Sequence, residues 1–332
     1  MIASKLRSRF ETLLGLALAT ACQRPPSTPA AGSPAAGVAP PGSSEGNPAA
    51  ASAPELTRVS RMSAATEAER DYFLYLPSGH RDATDRLWPV LLFLHGNGER
   101  GDAKGELDYL LQNGPLYEAW IQKRDLPFLI VAPQLPMYGR DATADYLRNR
   151  TRAQIPVRLE QGVPERRARF ATPDLMKGAL AEELDKSATP YGPPMGWPEL
   201  EADLIGILDD VIRNHRGDPA RQYLTGLSYG GYGTWYMASK YPDRFAAIVP
   251  VVGYGHPDAM ASIAAAKLPI WCFAGGRDGG VHPKYFYAAF NRLEALGHKD
   301  FRFTIEADMG HDVWSRTYAG NDVYDWMLAH HK

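Results

Sequence analysis

Leu224-Thr-Gly-Leu-Ser-Tyr-Gly-Gly-Tyr-Gly233 places four glycines around a single serine, directly behind a short apolar run. Glycine inside a structured segment is entropically costly, so a cluster marks a place where side chains have no room. The preceding residues, "QYLTGLS", predict a short strand, and a helix is expected from Thr234 to Lys240. The core of the stretch, Gly226-Leu-Ser-Tyr-Gly230, is then a G-x-S-x-G turn between strand and helix. Such a sharp turn lifts the Ser228 hydroxyl above the sheet, and side chains at 226 or 230 would collide with the strand or the helix. Gly231 and Gly233 are expected to let the new helix approach the sheet closely.

The same alternation runs outward in both directions. "DYFLYLP" reads as a strand with Tyr72, Leu74 and Leu76 on one face, and "WPVLLFLHG" and "LPFLIVAPQ" read as strands buried on both faces. In "PELEADLIGILDDVIRNH", Leu200, Leu204, Ile207, Leu208, Val211 and Ile212 make one helical stripe. "FAAIVPVVG", "LPIWCFAGG" and "DFRFTIEA" predict three more strands. "PKYFYAAFNRLEALG", closed by Gly297, and "NDVYDWMLAHH" predict two helices. This order implies an α/β fold, a mostly parallel sheet covered on both faces. One segment, about 138–196, lacks strand runs and clear periodicity and reads as an inserted, lid-like segment. Its residues 140–169 hold eight arginines against four acids.

A serine hydroxyl is a poor nucleophile unless a base takes its proton and a third group orients that base. After "LPIWCFAGG" comes "RDGG", which puts Asp278 on a loop at the carboxyl end of a strand. After "DFRFTIEA" comes "DMGHDVW", which puts His311 on the next such loop. Catalytic groups gather at such loops in open α/β sheets. Asp308 and Asp312 share the His311 loop and fit surface or supporting roles better. His282 follows Asp278 closely, while His215, His298, His330 and His331 sit at helix ends or the terminus. Acyl transfer also needs amide donors for a developing oxyanion. The backbone N–H of Tyr229 is one candidate. The other is the N–H of Asn97, with Gly98 as second choice, on the glycine-rich turn of "FLHGNGERGD". No HExxH or CxxC pattern occurs, so neither a metal nor any other cofactor is expected.

The N-terminal region has a different character. Lys5, Arg7 and Arg9 precede an apolar run, Leu13 to Ala21, too short to span a bilayer. Residues 1–21 resemble a bacterial lipoprotein export signal with Cys22 as the lipidated residue. The alternative is a secretory signal cleaved after Ala19-Thr-Ala21. Residues 22–54, rich in Pro, Ala, Gly and Ser, read as a disordered tether, and the folded domain is expected over 55–332. Either signal exports the protein, as a periplasmic or outer-membrane-anchored lipoprotein or as a secreted protein. Membrane attachment is expected through a lipid on Cys22 alone. The chain of 332 residues has a net charge of −2, 45% apolar residues and 22% charged ones, so nothing points to nucleic acid. Of the two cysteines, Cys272 lies in an apolar run and reads as a small buried hydrophobe.

Taken together, "YFLYLPSGH", "VLLFLHGNGERGD", "NGP", "VAPQ", "LTGLSYGGYGTWYMASKYPDRFAAIVPVVG", "MGHDVWSRTY" and "VYDWM" resemble the bacterial α/β-hydrolase esterases. That group includes predicted peptidases, feruloyl-esterase-like proteins and dienelactone-hydrolase relatives. The resemblance covers about residues 70–136 and 197–329. It implies an α/β-hydrolase fold with Ser228 as nucleophile, His311 as base and Asp278 as acid. It also implies oxyanion donation by the amides of Asn97 and Tyr229. The expected activity is carboxylic-ester hydrolysis through an acyl-enzyme, on a small-molecule or polysaccharide-linked ester. A serine peptidase of the prolyl-oligopeptidase type is the alternative, and a non-catalytic binding protein a third reading. Tyr229 stands where the family commonly has methionine, and its phenol could narrow the acyl pocket. The arginine-rich insertion is foreign to the family's compact pattern. Arg148, Arg150, Arg152, Arg158, Arg166, Arg167 and Arg169 could steer anionic substrates, or could form a solvated surface balanced by Glu182, Glu183 and Asp185.

Overall fold

Eight strands carry the fold: β1 (Glu55–Met62), β2 (Glu69–Leu76), β3 (Trp88–Leu94), β4 (Leu129–Ala132), β5 (Gly217–Leu227), β6 (Ala247–Val251), β7 (Ile270–Gly275) and β8 (Phe301–Glu306). The structure is a computed structural model that describes residues 51–137, 144–158, 192–193 and 196–332. The expectations for the export signal, for Cys22, for nearly all of the tether and for most of the insertion lie outside these residues.

The strands form one sheet in the order β1-β2-β4-β3-β5-β6-β7-β8. From β4 to β8 every neighbour is parallel, while β1–β2 and β2–β4 pair antiparallel. β3 is fully buried because both of its faces are covered. Val90, Leu92 and Leu94 point into one apolar cluster, and Leu91 and Phe93 into the other. Period-two alternation thus divides one apolar run between two cores. β2 does the same: Tyr72, Leu74 and Leu76 share the first cluster, while Phe73 and Tyr75 enter the second.

The first cluster is completed by α1 (Glu201–Asn214), α2 (Tyr229–Lys240), α3 (Met260–Ala265) and α4 (Tyr287–Ala295). On α1, Leu204, Ile207, Leu208 and Val211 are buried as the stripe requires, each contributing roughly 1.5–3 kcal/mol. The second cluster is covered by residues 107–121 and by α5 (Asp322–Leu328). α2 begins immediately after the serine, earlier than its glycine content suggests, because packing outweighs weak helix propensity.

Two features differ from the sequence expectation. β1 was not anticipated: its burial alternates between half-buried and exposed positions, so no apolar pattern announces it. Ser52, inside the segment expected as tether, is also held by the folded domain. The Ser52 N–H donates to Asp82 Oδ2 at 2.6 Å, and its carbonyl accepts from Gly79 N–H at 2.9 Å. Among the described residues, no helix is long and apolar enough to cross a membrane. Cys272 is fully buried in β7, and burial pushes its thiol well above the ordinary range, so it stays protonated.

Candidate active site

Ser228 joins β5 to α2 with φ 53° and ψ −113°. A non-glycine residue in this region costs about 1–3 kcal/mol and persists only where its surroundings hold it. They do so here through backbone. The Ser228 N–H donates to Val251 O at 2.9 Å, and Tyr232 N–H donates to Ser228 O at 3.1 Å. The flanking glycines are sterically required. A Cβ on Gly226 would lie 2.3 Å from Gly230 O, and one on Gly230 would lie 1.7 Å from Leu94 O. Gly231 meets the end of β6 in the same way, 2.5 Å from Val251 O. Gly233 departs from expectation, because its space is taken by the Trp197 ring at 2.6 Å and not by the sheet. Gly230→Ala is therefore expected to lower the stability by about 4 kcal/mol or more. A urea midpoint close to wild type would contradict this steric account.

Two loops from neighbouring strands meet the serine. The loop after β7 and the loop after β8 are joined by Gly276 N–H donating to Glu306 O and Arg277 N–H donating to Met309 O, both at 2.9 Å. Gly275 lets them touch, since a Cβ there would lie 1.9 Å from Gly310 O. This contact brings Asp278 and His311 together. His311 Nδ1 lies 2.6 Å from Asp278 Oδ2, and His311 Nε2 lies 3.0 Å from Ser228 Oγ. Asp278 cannot donate when ionised, so Nδ1 carries the proton and Nε2 is left to accept from the serine hydroxyl. Asp278 Oδ1 accepts from the amides of Gly280 at 2.8 Å and Val281 at 2.9 Å. Ser228, Asp278 and His311 are all buried. Burial works to raise the Asp278 carboxyl. The hydrogen bond and charge of His311, with the two amides, outweigh it and hold Asp278 below the usual carboxylate range.

The rival groups lie elsewhere. Asp308 is taken by the Arg316 guanidinium, at 2.7 and 2.8 Å. His282 is exposed and caps a turn by accepting from Lys284 N–H at 3.1 Å. Among the described residues, no group of three or more His, Cys, Asp or Glu is placed to hold a metal ion.

The turn after β3 packs directly against the serine turn. A Cβ on Gly96 would lie 2.7 Å from Leu227 Cδ1, and the Gly230 position faces Leu94 O and His95 O. Asn97 opens a 3-10 turn, Asn97–Glu99, and Tyr229 is the first residue of α2. Arg100 connects the two: its Nε donates to Asn97 Oδ1 at 2.5 Å, and its guanidinium sits 5.1 Å from the centre of the Tyr229 ring. The Tyr229 phenol is thus buried against a cation.

Against known proteins, residues 200–266 match the model of the prolyl oligopeptidase family. Over 59 residues the chain is 47% identical to poly(3-hydroxyalkanoate) depolymerase C of Paucimonas lemoignei, a match covering 18% of this chain and 14% of the depolymerase. Among solved structures, a thermostable esterase superposes with a TM-score of 0.58 at 23% identity, covering 83% of this chain and 63% of the esterase. An S-formylglutathione hydrolase from Staphylococcus aureus superposes with a TM-score of 0.52 at 13% identity, covering 83% of this chain and 97% of that one. The fold is an α/β-hydrolase fold. The mostly parallel sheet, expected from the alternation of strand and helix runs, takes this form.

Within this fold, several buried groups around the serine had no signal in the sequence. Glu99, the last residue of the Asn97 turn, is buried, and Asn113 Nδ2 donates to its Oε1 at 2.7 Å. Asn113 Oδ1 accepts from Trp314 Nε1 at 3.1 Å, and the Trp314 ring stands edge-on to His311 at 5.3 Å. Polar side chains therefore run from the turn after β3 to the histidine loop. Asn113 belongs to the "NGP" motif, but nothing local to Glu99 distinguishes it from a surface acid.

His95 is a second such group. It is fully buried, donates from Nδ1 to Gly96 O at 2.5 Å and accepts at Nε2 from Leu135 N–H at 2.8 Å. The accepting role requires the neutral ring, and burial pushes its pKa down to about 3. Below the ordinary histidine range the unfolded chain takes up a proton that the folded chain refuses. Stability is then lost as the pH falls from about 6.5 toward 3, at up to about 1.4 kcal/mol per pH unit. Glu99 opposes this, because burial raises its carboxyl. In His95→Asn the unfolding free energy should fall less steeply over this window than in wild type. Equal slopes would remove His95 from the account.

Proposed function

We propose that the chain is a serine hydrolase that cleaves carboxylic esters through an acyl-enzyme. The carrying observation is the relay of Ser228 Oγ to His311 Nε2 at 3.0 Å and His311 Nδ1 to Asp278 Oδ2 at 2.6 Å, with the serine raised on a strained strand-to-helix turn. Ser228 Oγ attacks the ester carbonyl carbon while its proton passes to His311 Nε2. The carbonyl electron pair moves onto oxygen, which accepts from the N–H groups of Asn97 and Tyr229. Collapse expels the alcohol, which leaves with the proton from His311. Water then attacks the acyl-serine, giving its proton to His311, and the acid and the serine hydroxyl are regenerated. Asp278 holds the ring orientation and stabilises the imidazolium throughout.

Peptide cleavage is the second reading, favoured by the prolyl oligopeptidase match at residues 200–266. That span holds Ser228 but neither Asp278 nor His311, so it bears on the serine turn more than on the substrate. A panel of p-nitrophenyl esters and peptide anilides, with a serine-directed fluorophosphonate probe, tests the assignment. Esters should be turned over far faster than amides, and mass spectrometry should find the label on Ser228. Faster turnover of amides would favour the peptidase.

The substrate class proposed is a small-molecule or polysaccharide-linked ester. Steering of anionic esters by the insertion has less support, because the described arginines there are already paired or stacked with other residues of the chain. Arg148 pairs with Asp145 at 2.5 Å and Arg152 with Asp108 at 3.3 Å. Arg158 stacks on Trp120 at 3.8 Å. Export and lipidation at Cys22 remain part of the proposal, supported by the character of residues 1–21.

A further inference from the structure

Arg150 belongs to the insertion, yet its side chain is only 8% exposed. One of its nitrogens, Nη1, donates to the backbone carbonyls of Gly98, at 3.3 Å, and of Arg100. Nη2 donates to Glu106 Oε1 at 2.6 Å, and the guanidinium plane covers the Tyr109 ring at 4.0 Å. Four residues earlier, on the short helix Asp145–Arg148, the half-buried Tyr146 accepts a hydrogen bond from Asn97 Nδ2. The inserted segment therefore grips the turn after β3 at three of its residues: Asn97, Gly98 and Arg100.

We propose that Tyr146 and Arg150 are positioning residues for the oxyanion donor of Asn97. The inference rests on the ester-hydrolase reading above. A short 3-10 turn has few internal hydrogen bonds; His95 Nδ1 holds the Gly96 carbonyl of the peptide plane that carries the Asn97 N–H, and the carbonyls that follow set the orientation of the rest of the turn. Its carbonyls therefore need partners from outside. A guanidinium offers a rigid fork of donors, and burying one without acceptors is costly, so its placement on two turn carbonyls is specific. Arg100 holds Asn97 Oδ1 from within the turn, and Tyr146 holds the same amide side chain from the insertion. An insertion that begins as a lid-like sequence segment thus becomes part of the frame that aims a catalytic amide. Misplacement of such a donor is felt in the transition state and not in ground-state binding.

The test compares Arg150→Lys, Arg150→Ala and Tyr146→Phe with wild type and with Arg148→Ala, whose side chain is 56% exposed and pairs locally with Asp145. The readouts are kcat, KM, the thermal midpoint and the inhibition constant of an aryl trifluoromethyl ketone. Addition of Ser228 to that ketone forms the C–O bond, sends the serine proton to His311 and leaves an oxyanion, so its affinity reads the donors directly. Arg150→Ala should lower kcat by about ten- to hundred-fold, less than the loss of a whole donor, with KM changed by no more than about two-fold. Ketone affinity should fall in parallel, Arg148→Ala should match wild type, and added methylguanidine should restore part of the Arg150→Ala rate. If Arg150→Ala fails to fold, Arg150→Lys and Tyr146→Phe carry the test, each with a smaller loss in the same two readouts. Unchanged kcat and ketone affinity in the folded variants would overturn the proposal. So would a change confined to KM, which would make the segment a substrate wall. Retained turnover in Ser228→Ala would instead bring down the ester-hydrolase reading itself, whatever the clamp variants do.

Discussion

Ser228→Ala is expected to lower kcat for p-nitrophenyl acetate by about a million-fold. The substitution removes the proposed nucleophile, the Ser228 Oγ that faces His311 Nε2 at 3.0 Å. It removes little else. The turn is held by the Ser228 N–H and carbonyl, and by the close packing of Gly226 and Gly230, all of which alanine leaves in place. Circular dichroism and the thermal midpoint should therefore match wild type, while fluorophosphonate labelling disappears. Turnover or labelling that survives in a clean preparation would refute Ser228 as the nucleophile.

Asp278→Asn should come next in size, with a loss of about ten-thousand-fold in kcat. The asparagine carbonyl can still accept from Gly280 and Val281, as Asp278 Oδ1 does. Its amide nitrogen then replaces Oδ2 and offers a donor to His311 Nδ1. The ring must answer with the other tautomer, which puts a proton on Nε2 facing Ser228. A histidine protonated there cannot take the serine proton, so geometry persists while chemistry stops. Activity within about ten-fold of wild type would mean that the ring is oriented by something other than Asp278.

The three residues of the relay are far apart in the chain, yet each was legible. Every one follows a segment that reads as a strand, and the turn or loop after a strand of a parallel sheet opens at the same edge. Glycine marked one of the contacts, because only its absence of a side chain admits Leu94 O beside residue 230; the approach of Gly310 O to residue 275 became visible only in the fold. Glu99, Arg100 and His95 were not legible as buried groups. A glutamate or arginine in a glycine-rich turn looks like a surface residue until its partner is known. Here the partners are Asn113, Pro136 and Leu135, on other elements.

The sequence by itself determined the alternation of strands and helices, the strained turn at Ser228 and the loops that hold Asp278 and His311. These are local matters of side-chain period, glycine sterics and turn geometry. The tertiary structure alone decided that β1 extends the sheet at its antiparallel edge, since a strand with half-exposed residues becomes visible only through its hydrogen-bonded neighbour. It alone placed Trp314 against His311 and Arg150 against the carbonyls of the turn after β3. Which donor meets which acceptor depends on distances across the fold, and separation along the chain carries no record of them.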